Sequence, residues 1–357
     1  VRKLSEAQKR RLIRRAQWGG ISAPKSAELA APVYEKLAAP ALAVTSFITF
    51  TAPEYCSFSG NTKATLAFLE RIRVEADRRV RGRRITADLS TIRDIDLSAA
   101  LALVAEFDRW QRKHNTRLKP HALDQWNDDV RRKLGMLGFF DLLNVELPKR
   151  HLVSPNYAWI PFTSDVRTVG KAILLLRTRL ERHLGRRIPI GRELYGSLVE
   201  AMKNAFQHAY PSGTSSIDYG RIGKRWWMAG QVDLTDGEVK FAFLDQGVTI
   251  PYSLETSWMW DDISADIDIP SDALRVAAAV KYGNSRLKGE DHRGKGFSDI
   301  LWPASMCERN VVRILSRNCY AVKRGQRQLV AIDMDFTYPG TLIEWEAFPD
   351  TSVREEA

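Results

Sequence analysis

Cysteine is scarce in this sequence: Cys56, Cys307 and Cys319 lie far apart, and no two stand in a C-x-x-C spacing. That argues against a disulfide framework and against a zinc site, and it suits a reducing compartment. No apolar run approaches the ~18 residues that a membrane-crossing helix needs, and no signal-peptide pattern opens the sequence. A cytoplasmic protein with no membrane partner is therefore expected. Internal repeats and low-complexity tracts are also missing, which excludes solenoid and array architectures.

What is present reads as soluble globular protein, 44% hydrophobic and 27% charged, and 357 residues suffice for two ordinary domains. Lys and Arg exceed Asp and Glu by 54 to 43, a formal net charge of +11. The excess is densest at 2–15 (RKLSEAQKRRLIRR) and 71–84 (RIRVEADRRVRGRR). Such stretches fit a nucleic-acid contact or a solvated basic helix face equally well.

Proline at 24, 32 and 40 punctuates the first 40 residues, read as short basic helices without a core of their own. From ALAVTSFITF (41–50) to about residue 150, apolar strands alternate with amphipathic helices, which predicts an α/β layer. The helices expected there are TKATLAFLERIRVEADRRV, LSAALALVAEFDRWQRKH and WNDDVRRKLGMLGFFDLL. Residues 151–168 carry two prolines and read as a connector into an edge strand, AWIPF. A long helix, VGKAILLLRTRLERHLG, follows.

The chemistry-bearing residues come next. RELYGSLVEAMKNAFQHAY (192–210) has core spacing at Leu194, Leu198, Met202, Ala205 and Ala209, and it places Glu200 and Asn204 on one face. The Asn204 amide oxygen is a hard, uncharged ligand for Mg²⁺, and the Glu200 carboxylate can activate a water or hydroxyl. Alone, the pair reads as two surface polar residues. His208 on the same helix reads as packing or rim polarity. Two strands, RWWMAGQVDLT and EVKFAFLD, are joined at Asp236-Gly237, and the second ends in Asp245-Gln246-Gly247-Val248-Thr249. An acid closing a buried strand needs a partner, and the exocyclic amine of adenine is one that a purine pocket offers. Gly247 would let backbone approach a flat base. Arg293-Gly294-Lys295-Gly296 then opens the helix FSDILWPA, a glycine-rich turn at a helix N-terminus of the kind that cradles phosphate. Lys295 and Arg293 suit a phosphate or open solvent. Gly340-Thr341 opens a last strand, TLIEWEAF. The acidic run Asp261, Asp262, Asp266 and Asp268 reads as a solvated loop more readily than as a second metal site.

Two resemblances follow from these residues. The segment ITADLSTIRDIDLSAALALVAEF…LGMLGFFDLL is similar to a STAS domain, the fold of anti-sigma-factor antagonists, with Ile95-Asp96-Leu97-Ser98-Ala99 at the turn that opens its helix. One serine and the glycine of that turn are missing. Ser98 stands near the position phosphorylated in regulatory members, or caps the helix. The ordered set from 165 to 350 resembles the GHKL ATPases. That resemblance implies Glu200 as general base, Asn204 as Mg²⁺ ligand, Asp245 on adenine, and Gly247, Gly294, Lys295, Gly296 and Thr341 around the nucleotide. Thr249 replaces the second glycine of the usual D-x-G-x-G.

The expected fold class is α/β and α+β: a STAS-like α/β domain, then a GHKL-type α/β sandwich whose mixed sheet is covered by helices on one face. The expected boundaries are a basic helical segment at 1–40, the STAS-like domain at 41–150, a connector at 151–168, the ATP domain at 169–350 and a tail at 351–357. The expected function is that of a regulatory protein that binds ATP and Mg²⁺, closest to the anti-sigma serine kinases. Its output would be ATP hydrolysis or phosphorylation of a protein serine. Two other readings stay open, a nucleotide sensor without turnover and an ATP-gated nucleic-acid clamp using the basic N-terminal segment. A regulatory protein partner is expected, and a homodimer stays open.

Overall fold

The computed structural model describes residues 46–77, 83–115, 118–148, 152–188, 190–211, 223–256, 260, 264, 270–285 and 296–348. The expected N-terminal basic segment and C-terminal tail lie outside them. The chain is mixed α/β, with both parallel and antiparallel sheets. No described helix is long and apolar enough to cross a membrane.

The N-terminal layer follows its hydrophobic pattern closely. Strands β1 (Ser46–Thr51), β3 (Arg83–Asp88) and β5 (Lys119–His121) form a parallel sheet in the order β1-β3-β5. The short strands β2 (Tyr55–Cys56) and β4 (Asp94–Ile95) pair separately. Helix α1 (Thr62–Asp77) connects the first strands to β3. Helix α2 (Leu97–His114) begins where the sequence predicts, but its cap is Asp96, which accepts the Ala99 N–H at 2.7 Å. Ser98 is not the cap. Asn127 caps α3 (Asp128–Leu137), and Gly138 at φ 88° breaks the expected single helix before α4 (Phe139–Leu143).

The second layer is a five-stranded sheet in the order β6-β7-β8-β10-β9. Its members are β6 (Tyr157–Asp165), β7 (Trp226–Asp233), β8 (Val239–Asp245), β9 (Val311–Arg324) and β10 (Val330–Ala347). The expectation of a mixed sheet covered on one face is corrected on both counts. Every pairing in it is antiparallel, because β7 and β8 turn at Asp236-Gly237 and β9 and β10 turn near Gly325. Both faces are buried, because its strands are apolar at successive positions rather than at alternate ones.

On one face Ile160, Trp226, Met228, Phe241, Phe243, Ile343 and Trp345 join a core with helices α5 (Gly170–Leu184), α6 (Gly191–Asn204), α8 (Asp272–Ser285) and α9 (Gly296–Ser305). On the other, Trp159, Trp227, Ala229, Ala242, Leu244 and Leu342 share a core with α1–α4, with Phe50 and Ala87 of the parallel strands and with Leu89 just after β3. Residues 44–357 accordingly form one compact unit.

Helix α2 is the element between the two sheets' cores, and it is buried from Leu97 to Trp110. A helix with no solvent face must satisfy every polar group internally. Ser98 donates to Glu344 of β10, and Asp108 accepts Trp227 Nε1–H of β7 at 3.0 Å. Burial pushes both Asp96 and Glu344 above the usual carboxylate range, and each acid raises the cost of ionising near the other. Arg313 pairs with Glu344 and Glu346 at 2.8 Å each.

Ser98, 1% exposed, is therefore packed against the sheet, where no modifying enzyme can reach it in the folded chain. Replacing it with aspartate would set a third acid beside Asp96 and Glu344 in a largely buried site. Ser98→Asp is expected to cost about 3 kcal/mol or more in urea unfolding, as an unpaired buried charge does. Ser98→Ala should lose only about 1 kcal/mol.

Candidate functional site

Helix α6 ends at Asn204, and the chain runs on through one π turn, Ala205–Ala209. Such turns redirect the face that a helix presents and are frequent at functional sites. Here the π turn brings Ala209 and Tyr210 onto the loop that follows β8. The Ala209 carbonyl accepts the Val248 N–H at 2.6 Å, and the Tyr210 hydroxyl accepts the Gln246 N–H at 3.0 Å while donating to the Arg225 carbonyl.

Asp245 closes β8 on the face shared with Phe241 and Phe243, and it is 4% exposed. Its Oδ1 accepts the Gly247 N–H at 3.0 Å. A second backbone donor, the N–H of Thr341, comes from β10, whose register pairs Thr341 with Asp245. Among the described residues no ion pair involves Asp245. Burial pushes its carboxyl up to about 7, against the pull of those two N–H groups.

The glycines around it are fixed by close approach. A Cβ on Gly247 would stand 2.1 Å from the Ala209 carbonyl oxygen. The expected reason for this glycine was room for a flat base. The observed reason is contact between the loop and the end of α6. Gly340 has φ 129°, and a Cβ there would meet the Asp245 carbonyl oxygen at 2.2 Å. Thr341, 7% exposed, is further held by Ser316, whose Oγ lies 3.2 Å from Thr341 Oγ1 and donates to the Gly340 carbonyl at 3.0 Å. Thr249 sits at φ −80°, ordinary extended backbone, and it opens the short helix α7 (Ile250–Glu255) with no need of glycine.

Glu200 and Asn204 lie on α6, as the spacing predicts. A Cβ on Gly296 would come within 2.8 Å of Glu200 Oε1, so the N-terminus of α9 packs directly over that carboxylate. Ser197 Oγ donates to the Asp299 carbonyl at 2.6 Å and clamps the two helices together. Glu200 also makes an ion pair with Lys203 at 3.1 Å. His208 is exposed on the π turn. Gly294, Lys295 and Arg293 lie outside the described residues, as do Asp261, Asp262, Asp266 and Asp268.

The chain therefore brings together Asp245, Gly247, Gly340 and Thr341 at one place, with Glu200 and Gly296 at another, and α6 with its π turn joins them. No protein-family model matches the chain, and no curated protein matches it significantly. The chemistry has to be read from the residues. Sequence reasoning missed Tyr210, Gln246 and Ser316, which fix the loop around Asp245. Gln246 and Tyr210 lie within the motifs, but their partners are far off in sequence.

What the donor set can do is limited and specific. A buried carboxyl with no ion pair among the described residues, pushed up to about 7 by burial, is a candidate binding or acid–base group. Its cost also sets a pH dependence. The folded value, about 7, lies above the ordinary 3.8, so the folded chain holds this proton more tightly than the unfolded chain. Stability from this group is complete below about pH 4 and is lost as pH rises through about 7. Asp245→Asn removes that loss. The variant should gain stability over the wild type on going from about pH 5 to about pH 8, by about 1–3 kcal/mol in urea unfolding of ligand-free protein. An unchanged difference across that range would mean that Asp245 carries no such burden.

Proposed function

We propose that this is a Mg-ATP-binding regulatory protein whose residues 169–350 form a GHKL-type nucleotide domain and whose residues 41–150 form a STAS-like layer. The observation that carries the reading is Asp245: a buried carboxyl with no ion pair among the described residues, at a strand end whose loop packs on the π turn that continues the helix holding Glu200 and Asn204. In the ionised form it accepts an N–H, which suits the exocyclic amine of adenine. The two backbone donors from Gly247 and Thr341 fix its orientation.

The triphosphate end of the reading falls to α6 and the N-terminus of α9. Helix N-termini favour anions, and Gly296 gives the α9 terminus its close contact with α6. Asn204 is the residue that would hold Mg²⁺, which would supply charge neutralisation on the phosphates. Among the described residues no group of three or more His, Cys, Asp or Glu side chains is placed to hold a metal. One carboxamide suits a metal whose other ligands are phosphate and water oxygens. Glu200 is the base that would take a proton from the attacking water or hydroxyl.

Two features shape the choice of output. Ser98 lies on the sheet face opposite Asp245, bonded to Glu344, so Ser98 is not this domain's phosphoacceptor in the folded chain, and the reading assigns the phosphorylated serine to another protein. Such a substrate is the regulatory partner that the reading implies. The Glu200–Lys203 ion pair favours a second reading, a sensor that binds nucleotide without turnover, because it occupies the carboxylate that a base must keep free. The nucleic-acid reading gains nothing from Arg73, which is buried against Glu106 rather than offered to solvent.

Calorimetry with Mg-ATP, together with phosphate release, tests the reading. Asp245→Asn is expected to weaken ATP about 10- to 100-fold, the loss of one charge-assisted hydrogen bond. Glu200→Ala should bind normally and lose turnover alone. Binding without turnover in the wild type selects the sensor, and no binding of ATP overturns the proposal.

A further inference from the structure

We infer that Arg73 and Glu106, on the opposite side of the sheet, are positioning residues for the purine end of the nucleotide site. The inference rests on the reading of Asp245 given above, and it assigns to the N-terminal layer a part in that site.

Two chain segments build the surroundings of Asp245: the loop 245–247 and the β10 turn 339–341. Both are held from behind by one buried pair. Gln246, between Asp245 and Gly247, donates from Nε2 to Glu106 Oε1 at 2.9 Å. Arg73 of α1 donates to the same carboxylate, through Nε at 3.0 Å and again through its terminal nitrogen. Arg73 then donates to the Pro339 carbonyl at 3.2 Å, one residue before Gly340-Thr341. The Arg73 and Glu106 side chains are only 16% and 4% exposed. Both N–H groups that orient Asp245 therefore lie one or two residues from a bond to this pair.

The arrangement has little slack. Gly340 lies so close to the Asp245 carbonyl and to Gln246 that no Cβ would fit, and Gly247 is seated as closely on Ala209, so the turn 339–341 cannot shift without the loop 245–247. The Gln246 backbone N–H is meanwhile fixed to Tyr210 at the end of the π turn. Displacing Gln246 moves the Gly247 donor, and displacing Pro339 moves the Thr341 donor. Buried charged pairs add little to net stability compared with apolar residues, but their bonds are directional and fix position. Glu106 Oε2 and Gln246 Oε1 are buried with no hydrogen-bond partner among the described residues, and both residues line a cavity of about 20 Å³, room for a single water. The geometry at the sheet's back is thus polar, and its effect should fall on the purine and leave the phosphates alone.

The test uses the full chain and two variants. Gln246→Met cuts the link and leaves the charged pair intact. Arg73→Met with Glu106→Leu removes both charges, so that neither is left buried alone. In ligand-free protein, the amide protons of Gly247 and Thr341 should exchange about tenfold faster in both variants, while amides of α5 keep their rates. The affinity for ATP should fall about tenfold, while that for inorganic tripolyphosphate with Mg²⁺ stays unchanged. Unchanged exchange at the two amides overturns the inference. Faster exchange with undiminished ATP affinity overturns it too, as does equal loss of ATP and tripolyphosphate, which would mark a general loosening. Should the wild type bind no ATP, the nucleotide reading falls by itself. The exchange rates then decide whether the pair positions the Asp245 loop.

Discussion

Helix α2 has no solvent face between Leu97 and Trp110, yet it carries Ser98, Glu106, Asp108 and Arg109 within that span. Each of these groups loses water on folding and needs a fixed partner in return. Three of the partners are strands of the antiparallel sheet or the loop that extends one. Ser98 reaches β10, Glu106 reaches the loop after β8, and Asp108 reaches β7. Apolar packing tolerates sliding by a fraction of a turn, whereas three hydrogen bonds along one helix do not. The register of α2 on the sheet is thereby set by its polar residues, and its apolar residues supply the area.

The sheet meets the same constraint from its other side. Its strands present Trp226, Phe241 and Phe243 to one helical layer and Trp227, Ala242 and Leu244 to the other. Antiparallel sheets commonly leave a face to water, and this one cannot. Removal of the N-terminal layer would expose the second aromatic face together with Glu344. The two halves that the sequence distinguishes are consequently not independent in the folded chain. The second half needs the first as a cover.

Much of this was legible in the sequence, and the limits have physical causes. Helices α1, α2 and α5 follow from their periodicity, and β7 and β8 from apolar runs around Asp236-Gly237. The long β9–β10 hairpin did not declare itself beyond TLIEWEAF. Its register breaks between Asp333, Tyr338 and Thr341, and Arg317 takes φ 56°, so strict alternation is lost there. Asp245, Gly247 and Gly340-Thr341 stand out as an acid closing an apolar strand and as glycines beside it, although close backbone contact rather than a ligand is the observed reason for both glycines. Arg73 and Glu106 do not stand out. Arg73 sits in a basic stretch that reads as a surface, and Glu106 reads as one polar position on an amphipathic helix. Only contacts spanning 266 and 140 residues reveal what they hold.

Those contacts bear on how a carboxyl such as Asp245 can be kept ready. Its charge state near neutrality reflects a balance between burial, which favours the proton, and two backbone N–H groups, which favour the anion. Hydrogen bonds weaken steeply with misalignment, so a small shift of either donor tips that balance towards the neutral acid. A neutral acid offers a ligand's N–H one acceptor fewer. The donors belong to turns that the N-terminal layer grips, through Gln246 on one side and Pro339 on the other. A partner that displaced α1 or α2 would therefore disturb Asp245 without touching it, and under the proposed reading a ligand on Asp245 would by reciprocity stiffen the grip of the N-terminal layer.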